Sequence, residues 1–404
     1  MSIVSARMRQ VKLSPSVAAR IILNRLREEG RRIIDLTIGE PDFATPVHIR
    51  NAACEAMERG ETKYPLSQGT TALRKAAAER IRLDTGIDYP LDQIIVSTGA
   101  KQVLYNALMA TLEAGDEVII PAPFWVSYPD MVELGGGVPV TLETHSAVGY
   151  KITPDALRAV ITPRTKWLML NAPSNPSGAV YDREELLALA EALRENPHVW
   201  LMTDDIYARL TFEGGPAPHI LQVAPDLADR TLAVNGVSKC YAMTGWRIGY
   251  GSGPKDLIKA MAVVQSQSTS GACSISQAAA LAALTGPQDC VEAFTRSFKD
   301  RRDLAMSILS QAPGLKAVAP GGAFYIFPDC SGLLGRTAGD GTVIATDAEL
   351  VQYILRTTGV ALLDGGSYGV PGTFRMSFAS APEEVRAGCE AIKSVCEELT
   401  AVPA

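Results

Sequence analysis

Six short runs rich in β-branched and apolar residues punctuate the middle of the chain: Gln93 to Val96, Glu117 to Ile120, Trp167 to Leu170, Val199 to Met202, Thr231 to Val234 and Arg247 to Gly251. Longer stretches with helical spacing separate them. That alternation constrains the fold more than any other feature, because it predicts a mostly parallel sheet wrapped by helices. After Lys101, Val103, Leu104, Ala107, Leu108 and Leu112 recur at helical spacing and Gly115 offers a stop, so one buried face is expected. Further along, Asp289 to Leu309 reads as one long helix. AVAPGGAFYIF, VALLDGG and FRMSFA then read as strands, and Pro382 to Leu399 as a closing helix. This tail predicts its own core, and an N-terminal helix around Val17 to Glu29 is expected to return onto it. No internal repeat competes with this reading.

At 404 residues, 47% of them hydrophobic and 20% charged, the chain is an ordinary globular one, long enough for two or three domains. A net charge of -6 creates no global field for nucleic acid or an anionic membrane, so neither is expected as a partner. Cys54, Cys240, Cys273, Cys290, Cys330, Cys389 and Cys396 are odd in number and never spaced CxxC, which argues against disulfides and a zinc cage and for a reducing compartment. His48, His145, His198 and His219 form no HExxH pattern, so no metal is expected and most of them read as surface residues. No run of apolar residues is long enough to span a bilayer, and MSIVSARMRQ lacks the apolar core of a secretory signal. Arg7, Arg9, Lys12, Arg20 and Arg25 precede the first acid, Glu28, a weak likeness to a transit peptide. They are read here as a mature first helix, and the expected location is the cytoplasm.

In an open parallel sheet, ligands bind beyond the carboxyl ends of the strands. The residues that follow the β runs are Ser97-Thr98-Gly99-Ala100-Lys101, Phe124-Trp125, Asn171 with Asn175-Pro176, Asp204 with Tyr207, and Ser238-Lys239 followed by Arg247. Gly99-Ala100-Lys101 lies between a strand and a helix start, where backbone N–H groups favour a phosphate, although a glycine at such a turn is commonly only structural. Arg247 offers the forked guanidinium that suits a phosphate dianion. Lys239 starts from a turn at a strand end, and Asp204 closes an apolar run, where a carboxylate is costly without a cationic partner. An amine for a Schiff base, a carboxylate for a ring nitrogen and anion donors together describe a site for pyridoxal 5'-phosphate.

At these residues the chain resembles the class I and II aminotransferases of pyridoxal phosphate fold type I, most of all the bacterial aspartate aminotransferases. SKCYAMTGWRIGY resembles the segment that carries the Schiff-base lysine, which would be Lys239, flanked by Ser238 and followed by Arg247 as the phosphate arginine. NAPSNPSG implies that Asn175 meets the phenolic oxygen of the cofactor. DDIY implies that Asp204 meets the pyridine nitrogen and Tyr207 the same phenolic oxygen. TIGEPDF, KYPLSQG, STGAKQ, PAPFWVSY and FRMSFA match in order from about Leu13 to the last helix. By this resemblance Gly99, Ala100 and Lys101 hold the phosphate end, Trp125 stacks on the ring, Tyr64 reaches the phosphate of a neighbouring subunit in a homodimer with shared active sites, Gly39 lines the substrate carboxylate site, and Arg375 binds the α-carboxylate. The fold implied is α/β: a large domain, 46–290, with a mostly parallel seven-stranded sheet between helices, and a smaller α+β domain from residues 1–45 and 291–404.

The implied reaction is a ping-pong transfer in which the freed amine of Lys239 moves the Cα proton and Asp204 keeps the ring protonated. Arg375 alternates with Phe374, Met376 and Phe378, which turns it away from their apolar face. No Arg or Lys lies between Gln265 and Thr269, where one branch of the family reads dicarboxylates. Lys101 is then the candidate for a distal carboxylate, helped by Ser16, and the expected substrates are aspartate and glutamate with oxaloacetate and 2-oxoglutarate. Lys101 as a merely solvated residue stays open. So do transfer from aromatic amino acids or to prephenate, and a lyase of the same fold. A cofactor-sensing regulator would need a DNA-binding extension, and the residues before Leu13 are too few for one. The resemblance also implies cis bonds at Ala122-Pro123 and Asn175-Pro176.

Overall fold

A computed structural model describes residues 3–9, 11 and 14–401, with the side chains at 6, 7, 16 and 401 outside the described set. Seven strands form the central sheet: β1 (Ile94–Ser97), β2 (Glu117–Pro121), β3 (Val138–Leu142), β4 (Thr165–Asn171), β5 (Trp200–Asp204), β6 (Thr231–Gly236) and β7 (Gly249–Ser252). Their spatial order is β1-β7-β6-β5-β4-β2-β3. Only β7 runs against its neighbours, β1 and β6, so the sheet is mostly parallel, as the alternation of runs predicts.

Side-chain alternation explains why the strands read as nearly continuous apolar runs. Val118, Ile120, Trp167, Met169 and Met202 enter one core with helices Ala100–Thr111 and Lys255–Ser268. Ile119, Leu168, Leu170 and Leu201 enter another with helix Arg183–Arg194. Both faces are covered, which removes the polar alternation of a half-exposed sheet. The edge strand β3 lacks this signal and has no counterpart among the six runs: Val138 is 47% exposed, and Pro139 is tolerated because β3 pairs only with β2.

In the C-terminal part, Tyr325–Ile326, Phe374–Ser377 and Leu363–Asp364 form a small antiparallel sheet beside helices Asp289–Leu309, Asp347–Thr358 and Pro382–Ala401. Ile34–Asp35 pairs in parallel with Val360–Ala361, so the segment after the first helix, Pro15–Glu28, does return to this sheet region. Two expectations need correction. Only Tyr325–Ile326 of AVAPGGAFYIF forms a strand, because Pro320, Gly321 and Gly322 interrupt the stretch and Ala323 takes φ +58°. His219 is not a surface residue: it is 5% exposed and its Nδ1 accepts the N–H of Leu221, capping a short helix. His145 and His198 are exposed and His48 is half-buried. The seven cysteines are free, with Cys240 packed in the core. Among the described residues no helix is long and apolar enough to cross a membrane.

Candidate active site

A cleft of about 330 Å³ opens where β4, β5 and β6 end and the helices after β1 and β2 begin. Gly39, Ala100, Lys101, Trp125, Asn175, Asp204, Tyr207, Ser238, Lys239, Arg247 and Arg375 all line it, although they come from positions more than 300 residues apart. Gly99 lies immediately beneath the Arg247 guanidinium. Tyr64 does not reach this cleft and stands 95% exposed on the surface. The side chain of Ser16 lies outside the described residues; its neighbours Ser14 and Val17 line the mouth.

β5 delivers Asp204 to the floor, 6% exposed. The partner asked for by its burial is a cation, but the structure supplies a phenol: Tyr128 donates to Oδ2 at 2.7 Å. Burial raises the Asp204 carboxyl to about 6, with the bond from Tyr128 opposing, the neighbouring Asp205 charge adding to the rise, and Lys239 pulling weakly the other way. Asn171, at the end of β4, braces this floor. Its Nδ2 donates to the Asp204 carbonyl at 2.7 Å and its Oδ1 accepts from the N–H of Asn175 at 2.8 Å.

Lys239 follows β6, and its Nζ donates to the Gly39 carbonyl at 2.5 Å. Desolvation pulls the ammonium down to about 8, against the attraction of Glu40. Tyr207 shares a 2.9 Å hydrogen bond with Tyr325, and burial holds its phenol well above the ordinary range. Arg375 is 2% exposed, donates to Asn175 Oδ1 at 3.0 Å and to the Thr37 carbonyl at 2.6 Å, and packs 4.4 Å from the Tyr325 ring. Its Nε is buried without a hydrogen-bond partner, so donor capacity remains there.

At the outer end, helix Ala100–Thr111 starts with no side chain capping it, leaving its first N–H groups aimed at the cleft. Arg247 sits at φ +57°, an uncommon conformation for a residue with a Cβ, and its guanidinium lies over Gly99. Gly99 takes φ +84°, and this backbone conformation is what calls for a glycine, since a Cβ there would meet only the movable end of the Arg247 side chain. Lys101 Nζ bonds Ser127 Oγ at 3.1 Å and stands 4.5 Å over the Trp125 ring. Desolvation, then the Arg247 charge, lowers its pKa. Ala122-Pro123 and Asn175-Pro176 are both cis, and so is Ala172-Pro173.

Sequence reasoning singled out neither Tyr128 nor Tyr325. Tyr128 lies one helical turn beyond Trp125, and their rings meet edge to face at 5.4 Å, so the i, i+3 spacing within PAPFWVSY is a usable signal. Tyr325 sits in a run of apolar residues, and nothing in the pattern separates it from Phe324 or Phe327.

The family model described as aminotransferase class I and II matches residues 31–392. The aspartate/prephenate aminotransferase of Cereibacter sphaeroides is 48% identical over 99% of this chain and all of its own length. The crystal structure of the aspartate aminotransferase from Rhizobium meliloti superposes with a TM-score of 0.96 at 46% identity, covering 99% of this chain and 100% of that one. The aspartate aminotransferase of Thermus thermophilus with maleate gives 0.90 at 41%, covering 98% and 100%. Members of this family act on amino and 2-oxo acids, are typically dimers and generally depend on pyridoxal phosphate. The chain belongs to the class I and II aminotransferases and is an aminotransferase of the aspartate aminotransferase type.

Proposed function

We propose that the enzyme binds pyridoxal 5'-phosphate in this cleft and moves the amino group of aspartate or glutamate to 2-oxoglutarate or oxaloacetate. The observation that carries the reading is the convergence of Lys239, Asp204, Asn175 and Arg375 on one cleft from four separate segments. The donor set fits the cofactor: a half-buried amine, a buried carboxylate, a phenol, and an anion cradle made of Arg247, Ser238 and an uncapped helix start. When bound, the cofactor supplies an aldehyde for the lysine and an electron sink for the charge left at Cα.

Asp204 would hold the ring nitrogen in its protonated form, Asn175 and Tyr207 would hold the phenolic oxygen, and Trp125 would cover the ring. Lys239 takes the proton from Cα, a role suited to an amine lowered to about 8. Arg375 clamps the α-carboxylate with its remaining donors, beside Gly39. Lys101 at the mouth attracts a distal carboxylate, with Ser16 assisting. Maleate, named with the Thermus thermophilus relative, is likewise a four-carbon dicarboxylate. A second reading, prephenate as an acceptor, is favoured by the name of the Cereibacter sphaeroides relative.

The active unit proposed is a homodimer in which Tyr64 serves the partner's phosphate site. Tyr64, Leu66, Val47 and Met57 are large hydrophobic side chains that each stand more than half exposed, in keeping with a covered interface. The proposed division is 46–290 against 1–45 with 291–404, and the proposed location is the cytoplasm. The test is a panel of amino donors, each added to the cofactor-loaded enzyme while its absorbance is followed, with 2-oxo acids then restoring the starting spectrum. Aspartate and glutamate are expected to exceed alanine by at least about tenfold in kcat/KM. Equal values for alanine and aspartate would remove the dicarboxylate assignment.

A further inference from the structure

Behind Asp204, on the side of β5 away from the cleft, lies a polar cluster with no part in the transfer just described. Thr203 Oγ1 donates to Asp205 Oδ2 at 2.7 Å. His219 Nε2 approaches Thr203 Oγ1 at 3.1 Å and Asp205 Oδ2 at 3.3 Å. Because His219 Nδ1 accepts the N–H of Leu221 at 3.1 Å, the proton of the neutral ring belongs on Nε2, pointing at the threonine and the carboxylate. Asp205 and His219 also line a chamber of about 230 Å³ with Arg80 and Asp84 from helix Thr71–Thr85.

The charged and titratable groups near Asp205 include Arg80 and Asp84 across the chamber, Arg209 acting on Asp84, Asp204 beside it in the chain, Tyr128 beyond, and His219. Arg80 is already engaged by Asp84 at 2.6 Å. Asp205 is left with Thr203 and His219 as its fixed side-chain partners, which orient the carboxylate, and it acts on Asp204 next door.

We propose that His219 and Thr203 are positioning residues that fix the Asp205 carboxylate behind Asp204, so that a second negative charge backs the one facing the cofactor ring and strengthens its hold on a protonated nitrogen. The proposal rests on the pyridoxal phosphate reading. None of these three residues lines the cleft, yet they set the proton affinity within it.

The test uses the holoenzyme loaded with pyridoxal phosphate carrying ¹⁵N in the ring, whose chemical shift is followed against pH. Wild type must first show the absorbance of a lysine-bound cofactor, and its absence would sink the cofactor reading itself. With that in place, Asp205→Asn is expected to lower the midpoint of ring protonation by about one pH unit, a tenfold loss of proton affinity, from removal of one nearby charge. His219→Leu should move it part of the way in the same direction. His219→Gln keeps an N–H donor and should stay near wild type. In the first two variants kcat should fall while KM for aspartate is unchanged, because Arg375 and Lys101 are untouched. Ring protonation that matches wild type in Asp205→Asn, or a loss confined to KM, overturns the proposal. Should His219→Leu fail to fold by circular dichroism, Asp205→Asn, which keeps the side-chain shape, decides alone.

Discussion

At the floor of the cleft, Asp204, Asn175, Tyr207 and Arg375 are each less than a tenth exposed and each held by a hydrogen bond to another part of the chain. At the mouth, Lys101 is exposed, with one bond to a serine and an aromatic face for company. Buried electrostatics is strong and rigid, whereas exposed charge is screened and adjustable. The floor is therefore suited to chemistry common to every amino acid, and the mouth to discrimination among their side chains.

The largest test of this contrast is Lys239→Ala. Loss of the amine at the floor should reduce transfer from any donor by at least about 10⁴-fold, read in single-turnover absorbance changes. A fall that depends on the donor would break the contrast, since the floor is expected to be blind to side chains.

Asp204→Asn comes next, with an expected fall in kcat of about 10³-fold. The same substitution sharpens the argument through stability. The folded, cofactor-free protein raises Asp204 from 3.8 to about 6, so the native state holds this proton more tightly than the unfolded chain does. Its contribution to stability is fully present below the unfolded value and is lost as pH climbs through about 6, by at most about 3 kcal/mol at ~1.4 kcal/mol per unit. Cofactor-free Asp204→Asn should accordingly melt above wild type at pH 7, and the gap should close near pH 4. A wild type that melts higher at pH 7 would show that the floor is not strained by its own charge.

Arg375→Lys should raise KM for every donor by about 10- to 100-fold, because an ammonium cannot reproduce the fork. The smallest effect belongs to the mouth. Lys101→Ala should cost about tenfold in kcat/KM for aspartate and leave alanine within about twofold, a selectivity change worth ~1.4 kcal/mol. If alanine falls equally, Lys101 serves the cofactor end and not the distal carboxylate.

What could be read from the chain follows the same physics. The buried strands β1, β2, β4, β5 and β6 announce themselves because their neighbours demand apolar residues on both faces, and Asp204 and Lys239 stand out against that background. The edge strand β3 is hidden because Val138 and Thr141 face solvent and Pro139 looks like a breaker. Tyr128 and Tyr325 went unmarked since a tyrosine in a core is ordinary, and only its hydroxyl's partner reveals a role. His219 was not singled out for a similar reason: its place beside Asp205 joins segments that the fold brings together, and no spacing rule encodes it.

The reversed strand β7 has one more consequence. Gly236 and Gly249 are paired where β6 ends and β7 begins, so residues 237–248 form a single return stapled at both ends to the sheet. Lys239 and Arg247 thus ride on one strap of fixed circumference. An insertion or deletion of even a single residue in it would displace Lys239 relative to Arg247, which predicts that natural length variation in these enzymes accumulates elsewhere.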